Sequence, residues 1–124
     1  MNLSSIRAGL CLRSWVLLSV ALVLLPAALM AQSYFGDIVG TVTDPTGAAI
    51  PNAVITVTNS QTGAVFHTTA NSYGYYAVRA LIPDVYSVKV STKGFQSTVV
   101  TPVKIEVAQT VTVNATLKVG MVTQ

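Results

Sequence analysis

Hydrophobic and polar residues alternate with a period of two through most of the chain after residue 36. In Thr110-Val111-Thr112-Val113-Asn114-Ala115-Thr116-Leu117-Lys118, the side chains of Val111, Val113, Ala115 and Leu117 share one face, and Thr110, Thr112, Asn114, Thr116 and Lys118 share the other. Such alternation marks a strand with one dry and one wet face. Tyr86, Val88 and Val90 alternate with Ser87, Lys89 and Ser91 in the same way, and Ala53, Ile55 and Val57 alternate with Thr56 and Thr58. Val103, Ile105 and Val107 alternate with Lys104 and Glu106, and Ile38, Gly40 and Val42 make a weaker first strand. The abundance of Val and Thr, both β-branched, favours strand over helix.

Turn signals separate these runs. Asp44-Pro45-Thr46-Gly47 has the residue order of a type I turn. Asn59-Ser60-Gln61-Thr62-Gly63, Asn71-Ser72-Tyr73-Gly74, Ile82-Pro83-Asp84 and Lys93-Gly94-Phe95 punctuate the rest. Seven strands are predicted, at about 36–43, 53–59, 64–70, 75–81, 85–91, 97–107 and 110–118. Pro102 threatens to break the sixth, because proline cannot donate to a central ladder. Short strands at this spacing predict an all-β fold, a seven-stranded antiparallel Greek-key-type β-sandwich.

The first 31 residues follow another rule. Met1 to Ser14 carries Arg7 and Arg13 and no acid, and eleven uncharged residues follow from Trp15 to Leu25. Pro26 ends that run, and Ala27-Ala28-Leu29-Met30-Ala31 supplies small residues. A basic start, a short apolar stretch and a small-residue exit describe a helical secretory signal peptide. Cleavage is expected after Ala31, with a cut after Ser33 as the rival and retention as a membrane anchor as the alternative. Pro26 and the polar Gln32-Ser33 leave the run short of the ~20 apolar residues a spanning helix needs. Cys11 precedes the apolar run, so it is not a lipoprotein acylation site beside a cleavage point. The predicted organisation is a signal peptide at 1–31, a sandwich domain at 32–120 and a short continuation at 121–124.

Composition narrows the function classes. The 124 residues, at roughly 100–200 per domain, allow one globular domain. With 52% hydrophobic and 9% charged residues, the chain is no disordered tail. A single Cys closes neither a disulfide framework nor a Cys/His zinc site. The formal charge of +3 includes Arg7 and Arg13; beyond residue 31 there remain Arg79, Lys89, Lys93, Lys104 and Lys118 against Asp37, Asp44, Asp84 and Glu106, or 5 − 4 = +1. No basic cluster remains to follow a phosphate backbone, so nucleic acid is not an expected partner.

The order Ile38-x-Gly40-x-Val42-x-Asp44-x-x-Gly47-Ala48-x-Ile50-Pro51-x-Ala53-x-Ile55-x-Val57 resembles the start of a carboxypeptidase regulatory-like domain. Gly74-x-Tyr76-x-Val78-x-x-Leu81-x-Pro83-x-x-Tyr86-x-Val88-x-Val90-x-x-x-Gly94-Phe95 continues the likeness, which extends over about residues 36–118. The resemblance implies a transthyretin-like (prealbumin-like) sandwich, sometimes grouped with carbohydrate-binding-like folds. Asp84 departs from it, standing where the family more often has Gly after Pro. Within the motif, Gly40 and Gly47 suit close backbone approach or positive φ, and Tyr76 and Tyr86 are expected to point inward with their hydroxyls bonded. A signal peptide followed directly by such a domain is similar to the amino end of Oar-like TonB-dependent outer-membrane receptors. That likeness implies an exported protein of the periplasm or outer membrane, carried through the inner membrane by its leader. The residues after 118 are too few for a transmembrane barrel, so a fragment of a receptor or a free-standing sandwich is expected.

Candidate chemistry is sparse. His67 is the one His; it lies in a strand pattern without a nucleophile elbow or a nearby acid and reads as a strand-surface residue. Asp37, Asp44 and Asp84 lack calcium-loop spacing, and neither a metal nor another cofactor is expected. Asn114-Ala115-Thr116 fits a glycosylation sequon, a pattern frequent by chance. The strongest ligand argument rests on Tyr73 and Tyr75, two apart and so on one face if the backbone there is extended, beside Asn71 and Ser72, with Tyr76 on the opposite face. Two outward rings with polar neighbours suit stacking on sugar faces. Tyr34 and Phe35 are expected to cap the sandwich end. The expected function is a non-catalytic spacer or docking module, its partner an oligosaccharide or a periplasmic or outer-membrane protein.

Overall fold

The computed structural model describes residues 14–19 and 34–120. The chain divides into two units, Met1–Gln32 and Ser33–Gln124. In the first, residues 14–19 are helical with exposed side chains. The rest of the predicted leader, both candidate cleavage positions and the tail at 121–124 lie outside the described residues. Among the described residues, no helix is long and apolar enough to cross a membrane.

The second unit is the expected β-sandwich. Its strands are β1 (Gly36–Thr43), β2 (Val54–Asn59), β3 (Val65–Thr69), β4 (Tyr75–Leu81), β5 (Asp84–Ser91), β6 (Thr98–Ile105), β7 (Thr110–Thr112) and β8 (Ala115–Thr116). One sheet has the order β4-β1-β7, with β8 pairing β1 further along; the other has the order β3-β2-β5-β6. The connections β2–β3, β5–β6 and β7–β8 stay within one sheet, and the remaining four cross between the layers. Apart from Val107, the alternate residues read as inward fill the core or pack against it. Ile38, Val42, Ile55, Val57, Val88, Val90 and Leu117 are completely buried, and Tyr76, Tyr86, Ile105, Val113 and Ala115 nearly so. Full burial of one aliphatic side chain contributes roughly 1.5–3 kcal/mol. All these core residues, among those described, belong to the second unit.

Four expectations need correction. The last segment is not antiparallel to its neighbour: β7 and β8 both run parallel to β1, through Val113 N–H to Val39 O at 2.7 Å and Leu117 N–H to Thr43 O at 2.8 Å. Nor is it one strand, for the ladder breaks at Val113-Asn114. Pro102 does not end β6. That strand is a sheet edge, and Thr101 and Pro102 sit in a bulge opposite Ser87, where no ladder donor is required. Val107 is 56% exposed, because β6 ends at Ile105 and a turn with Gln109 N–H to Glu106 O at 3.2 Å follows.

Candidate functional site

The tyrosine turn lies between β3 and β4. Asn71 organises it: its Oδ1 accepts from the backbone N–H of Tyr73 at 2.9 Å and of Tyr75 at 3.0 Å, while its own N–H donates to Tyr75 O at 2.8 Å. This is the local side-chain-to-backbone bonding for which Asn is favoured in turns. Gly74 has φ of 74° and is buried, with its carbonyl accepting from Val42 N–H at 2.8 Å. A Cβ there would press on the Val42 carbonyl, so only glycine closes the turn against β1. The structure therefore brings Asn71, Tyr73 and Tyr75 together on one rigid turn. It does so differently from the sequence reading: Tyr73 precedes the strand, and the left-handed Gly74 interrupts the alternation that would place both rings on one face. Tyr73 is 81% exposed and Tyr75 42%. The Asn71 oxygen is committed to the turn, and its amide Nδ2 takes no part in those bonds.

Tyr75 opens onto the outer face of the first sheet, where its register partner is Thr41. Beyond Thr41 stands Asn114, whose Oδ1 accepts from both Thr41 N–H at 3.0 Å and Thr41 Oγ1–H at 3.1 Å. The Asn114 side chain thus replaces the main-chain acceptor missing at the break between β7 and β8. On the inner side of that break, the Val113 carbonyl turns toward the core and accepts the Tyr76 hydroxyl at 2.6 Å. It also lies against Gly40, where a Cβ would overlap the Val113 carbonyl oxygen. Burial of the phenol pushes the Tyr76 hydroxyl up to about 12. Asn114 and Thr41 escaped the sequence reading because the alternation runs unbroken through residue 114.

The aspartates and motif tyrosine hydroxyls hold turns and strands. The Tyr86 hydroxyl donates to Ile82 O at 2.8 Å and ties down the corner before β5. Asn59, 5% exposed, accepts from Gln61 N–H and Thr62 N–H at 2.8 Å each and donates through Nδ2 to Asp84 Oδ2 at 3.0 Å. Asp84 in place of glycine thus anchors the β2–β3 turn. Asp37 Oδ1 accepts from Ala80 N–H at 3.0 Å. Asp44 Oδ1 accepts from Thr46 Oγ1–H at 2.6 Å, Thr46 N–H at 2.9 Å and Ala48 N–H at 3.0 Å, and the Thr46 hydroxyl is the main reason its carboxyl lies below the ordinary carboxylate range. Among the described residues, no three metal-ligating side chains of His, Cys, Asp and Glu come together. His67 is exposed on β3, its Nδ1 3.3 Å from Thr56 Oγ1. Gly47 and Gly94 lie in turns at φ of 88° and 85°. Phe95 packs partly against the core, and Tyr34 meets Phe35 edge-on at 6.2 Å with both rings substantially exposed. An open hollow of about 390 Å³ lies between residues 83–85 and 104–107. The exposed Lys104–Glu106 ion pair at 3.0 Å borders it, and Asp84 there is already bonded.

The fold recurs in solved structures. The chain is similar to the Bacillus anthracis TIE protein, at 20% identity and TM-score 0.55, over 68% of this chain and 17% of that one. It is similar to catechol 1,2-dioxygenase of Acinetobacter radioresistens, at 13% identity and TM-score 0.57, over 73% of this chain and 53% of that one. A Bacteroides uniformis protein assigned to carbohydrate binding is similar at 16% identity and TM-score 0.55, over 66% of this chain and 40% of that one. The match thus spans less than two thirds of each of these proteins, and at these identities the likeness is one of fold. No curated protein sequence matches the chain. The family model for the carboxypeptidase regulatory-like domain matches residues 37–118, nearly the whole sandwich, and the chain belongs to that family.

Proposed function

We propose that this chain carries a non-catalytic sandwich module of an exported, receptor-like protein, acting in the periplasm or at the outer membrane as a spacer or docking domain. The observation that carries this reading is the leader pattern of residues 1–31 directly preceding a carboxypeptidase regulatory-like domain at 37–118. The use of Asn59, Asp37, Asp44, Asp84 and the Tyr76 and Tyr86 hydroxyls in holding turns and strands supports it, because it leaves rigid surface and sheet edges as the working parts. TonB-dependent receptors with such an amino-terminal domain are the proposed setting. Fractionation of the native organism with an antibody to the sandwich tests it. The expected product is envelope-associated and begins at Gln32 or Tyr34; a cytoplasmic product retaining Met1–Ala31 overturns the reading.

The exposed rings of Tyr73 and Tyr75 favour a second reading, an oligosaccharide-binding module, in keeping with the fold shared with the Bacteroides uniformis protein. Its test is titration with oligosaccharides followed by tyrosine fluorescence, which Trp15 does not obscure once the leader is absent. Binding that weakens at least about tenfold in Tyr73→Ala or Tyr75→Ala supports this site, equivalent to about 1.4 kcal/mol. Binding equal in both variants removes it.

A further inference from the structure

The four sheet edges of the sandwich are unequally protected. On β6, Pro102 and the bulge opposite Ser87 spoil a continuous ladder. On β4, the charged Arg79 is exposed and Ala80 is kinked at φ of 58°, with a register shift across from it between Gly36 and Ile38. On the fourth edge, β7 and β8 are fragments of three and two residues. These are the devices by which natural sheets blunt their edges: proline, charge, bulges and shortness. β3, Val65-Phe66-His67-Thr68-Thr69, has none of them, and Val65 and Phe66 are exposed on it.

The hydrogen-bond parity of β3 follows from its neighbour. Asn59 N–H bonds Ala64 O at 2.8 Å, and Ala70 N–H bonds Ala53 O at 2.9 Å. With the register Val57↔Phe66 and Ile55↔Thr68, the main-chain groups of Phe66 and Thr68 point at β2, while those of Val65, His67 and Thr69 point away from the sheet. We propose that this outward edge of β3 pairs with β3 of a second copy, antiparallel and centred on His67. That register is the one in which all three outward residues are used at once: Val65 faces Thr69 of the second copy, His67 faces His67, and each opposed pair exchanges two main-chain bonds. The side chains suit it. Phe66 opposite Thr68 joins an aromatic to a β-branched residue, a favourable cross-strand combination, and Val65 opposite Thr69 joins two residues that fit a pleated surface. No acid or base other than His67 lies on the strand, and the nearest charge in its row is Lys89, beyond Thr56. A two-fold pairing needs a self-complementary patch, and this strand supplies one. The two sheets β3-β2-β5-β6 would merge into one continuous sheet across the axis, and the proposal stands independently of the receptor and sugar readings.

The test is sedimentation velocity of residues 33–124 from micromolar to millimolar concentration. A reversible, weak monomer–dimer equilibrium is expected, with Val65, His67 and Thr69 amides alone gaining hydrogen-exchange protection as concentration rises. His67→Pro deletes an outward N–H that β2 does not use; His67→Lys keeps the N–H and sets two cations across the axis. Each is expected to raise the dimer Kd by at least about tenfold, since a symmetric pair feels every substitution twice. If His67→Pro disturbs the fold by circular dichroism, His67→Lys alone decides. A protein monomeric throughout, or a dimer indifferent to His67→Lys, or protection on another strand, overturns the proposal.

Discussion

The β1 seam and the β3 edge are made from the same Val and Thr vocabulary and treat their polar groups in opposite ways. Along the seam between β1 and the β7–β8 segment, the departures from regular pairing are each compensated: Asn114 serves Thr41, Tyr76 serves the Val113 carbonyl, and Gly40 yields the space that carbonyl occupies. Along β3, by contrast, the ladder to β2 is regular and, among the described residues, no strand pairs with its outward side. Irregularity is thus a sign of a position fixed by the fold, and regularity at an edge is a sign of one still able to take a partner. The seam should be sensitive to single-atom changes, and the edge should tolerate them.

The sharpest break comes from Gly40→Ala. Its Cβ would meet the Val113 carbonyl oxygen and carbon and stand 2.9 Å from the Tyr76 ring. Backbone cannot step aside as a flexible side chain can, so the loss should be at the upper end for overpacking, about 3 kcal/mol or more. That is a large share of the roughly 5–15 kcal/mol that holds a small domain together. Urea denaturation reads it directly, and a midpoint unchanged from the parent would show that the seam is not the tight element described.

Tyr76→Phe should come next. It leaves the ring in place and strands the Val113 carbonyl, a loss of about 1–3 kcal/mol. The substitution also carries a pH signature. The folded protein holds the Tyr76 hydroxyl neutral up to about 12, whereas 10.0 is its ordinary value. Folding therefore favours the protonated phenol, so this contribution is complete below pH 10 and disappears as pH rises from 10 toward 12. The stability gap between parent and Tyr76→Phe should narrow across that window, followed by denaturation midpoints at successive pH values. A gap that widens would reverse the assignment.

The difference between the two regions also explains what the sequence disclosed. Period-two alternation reports which side of the sheet each residue faces, and it located the core from Ile38 to Leu117 correctly. It carries no information on what the main chain bonds to. Val111, Val113, Ala115 and Leu117 keep their inward sense straight through the break at Asn114, so neither the break nor the parallel pairing was visible. Val107 failed for the converse reason: the alternation outlasts β6, which ends at Ile105. At the candidate sugar turn, the residue types marked the place, but the left-handed Gly74 is closed against Val42, a contact distant in sequence. The outward parity of Val65, His67 and Thr69 required the observed register of β2 with β3.

Phe66→Ala sharpens the comparison from its quiet side. Phenylalanine-to-alanine changes in a core typically cost 3–5 kcal/mol. Phe66 occupies the inward-facing parity of β3, opposite the fully buried Val57, yet as an edge residue it remains 38% exposed. Much of its surface is already in water, and neighbouring side chains can close over what it leaves, so the loss should be near ~1 kcal/mol, below that of Tyr76→Phe although more atoms are removed. Measured in dilute solution, where self-pairing is absent, this ranking tests the monomer alone. A loss of core size would mean that β3 is held as firmly as the seam, and that an incoming strand would find it already committed.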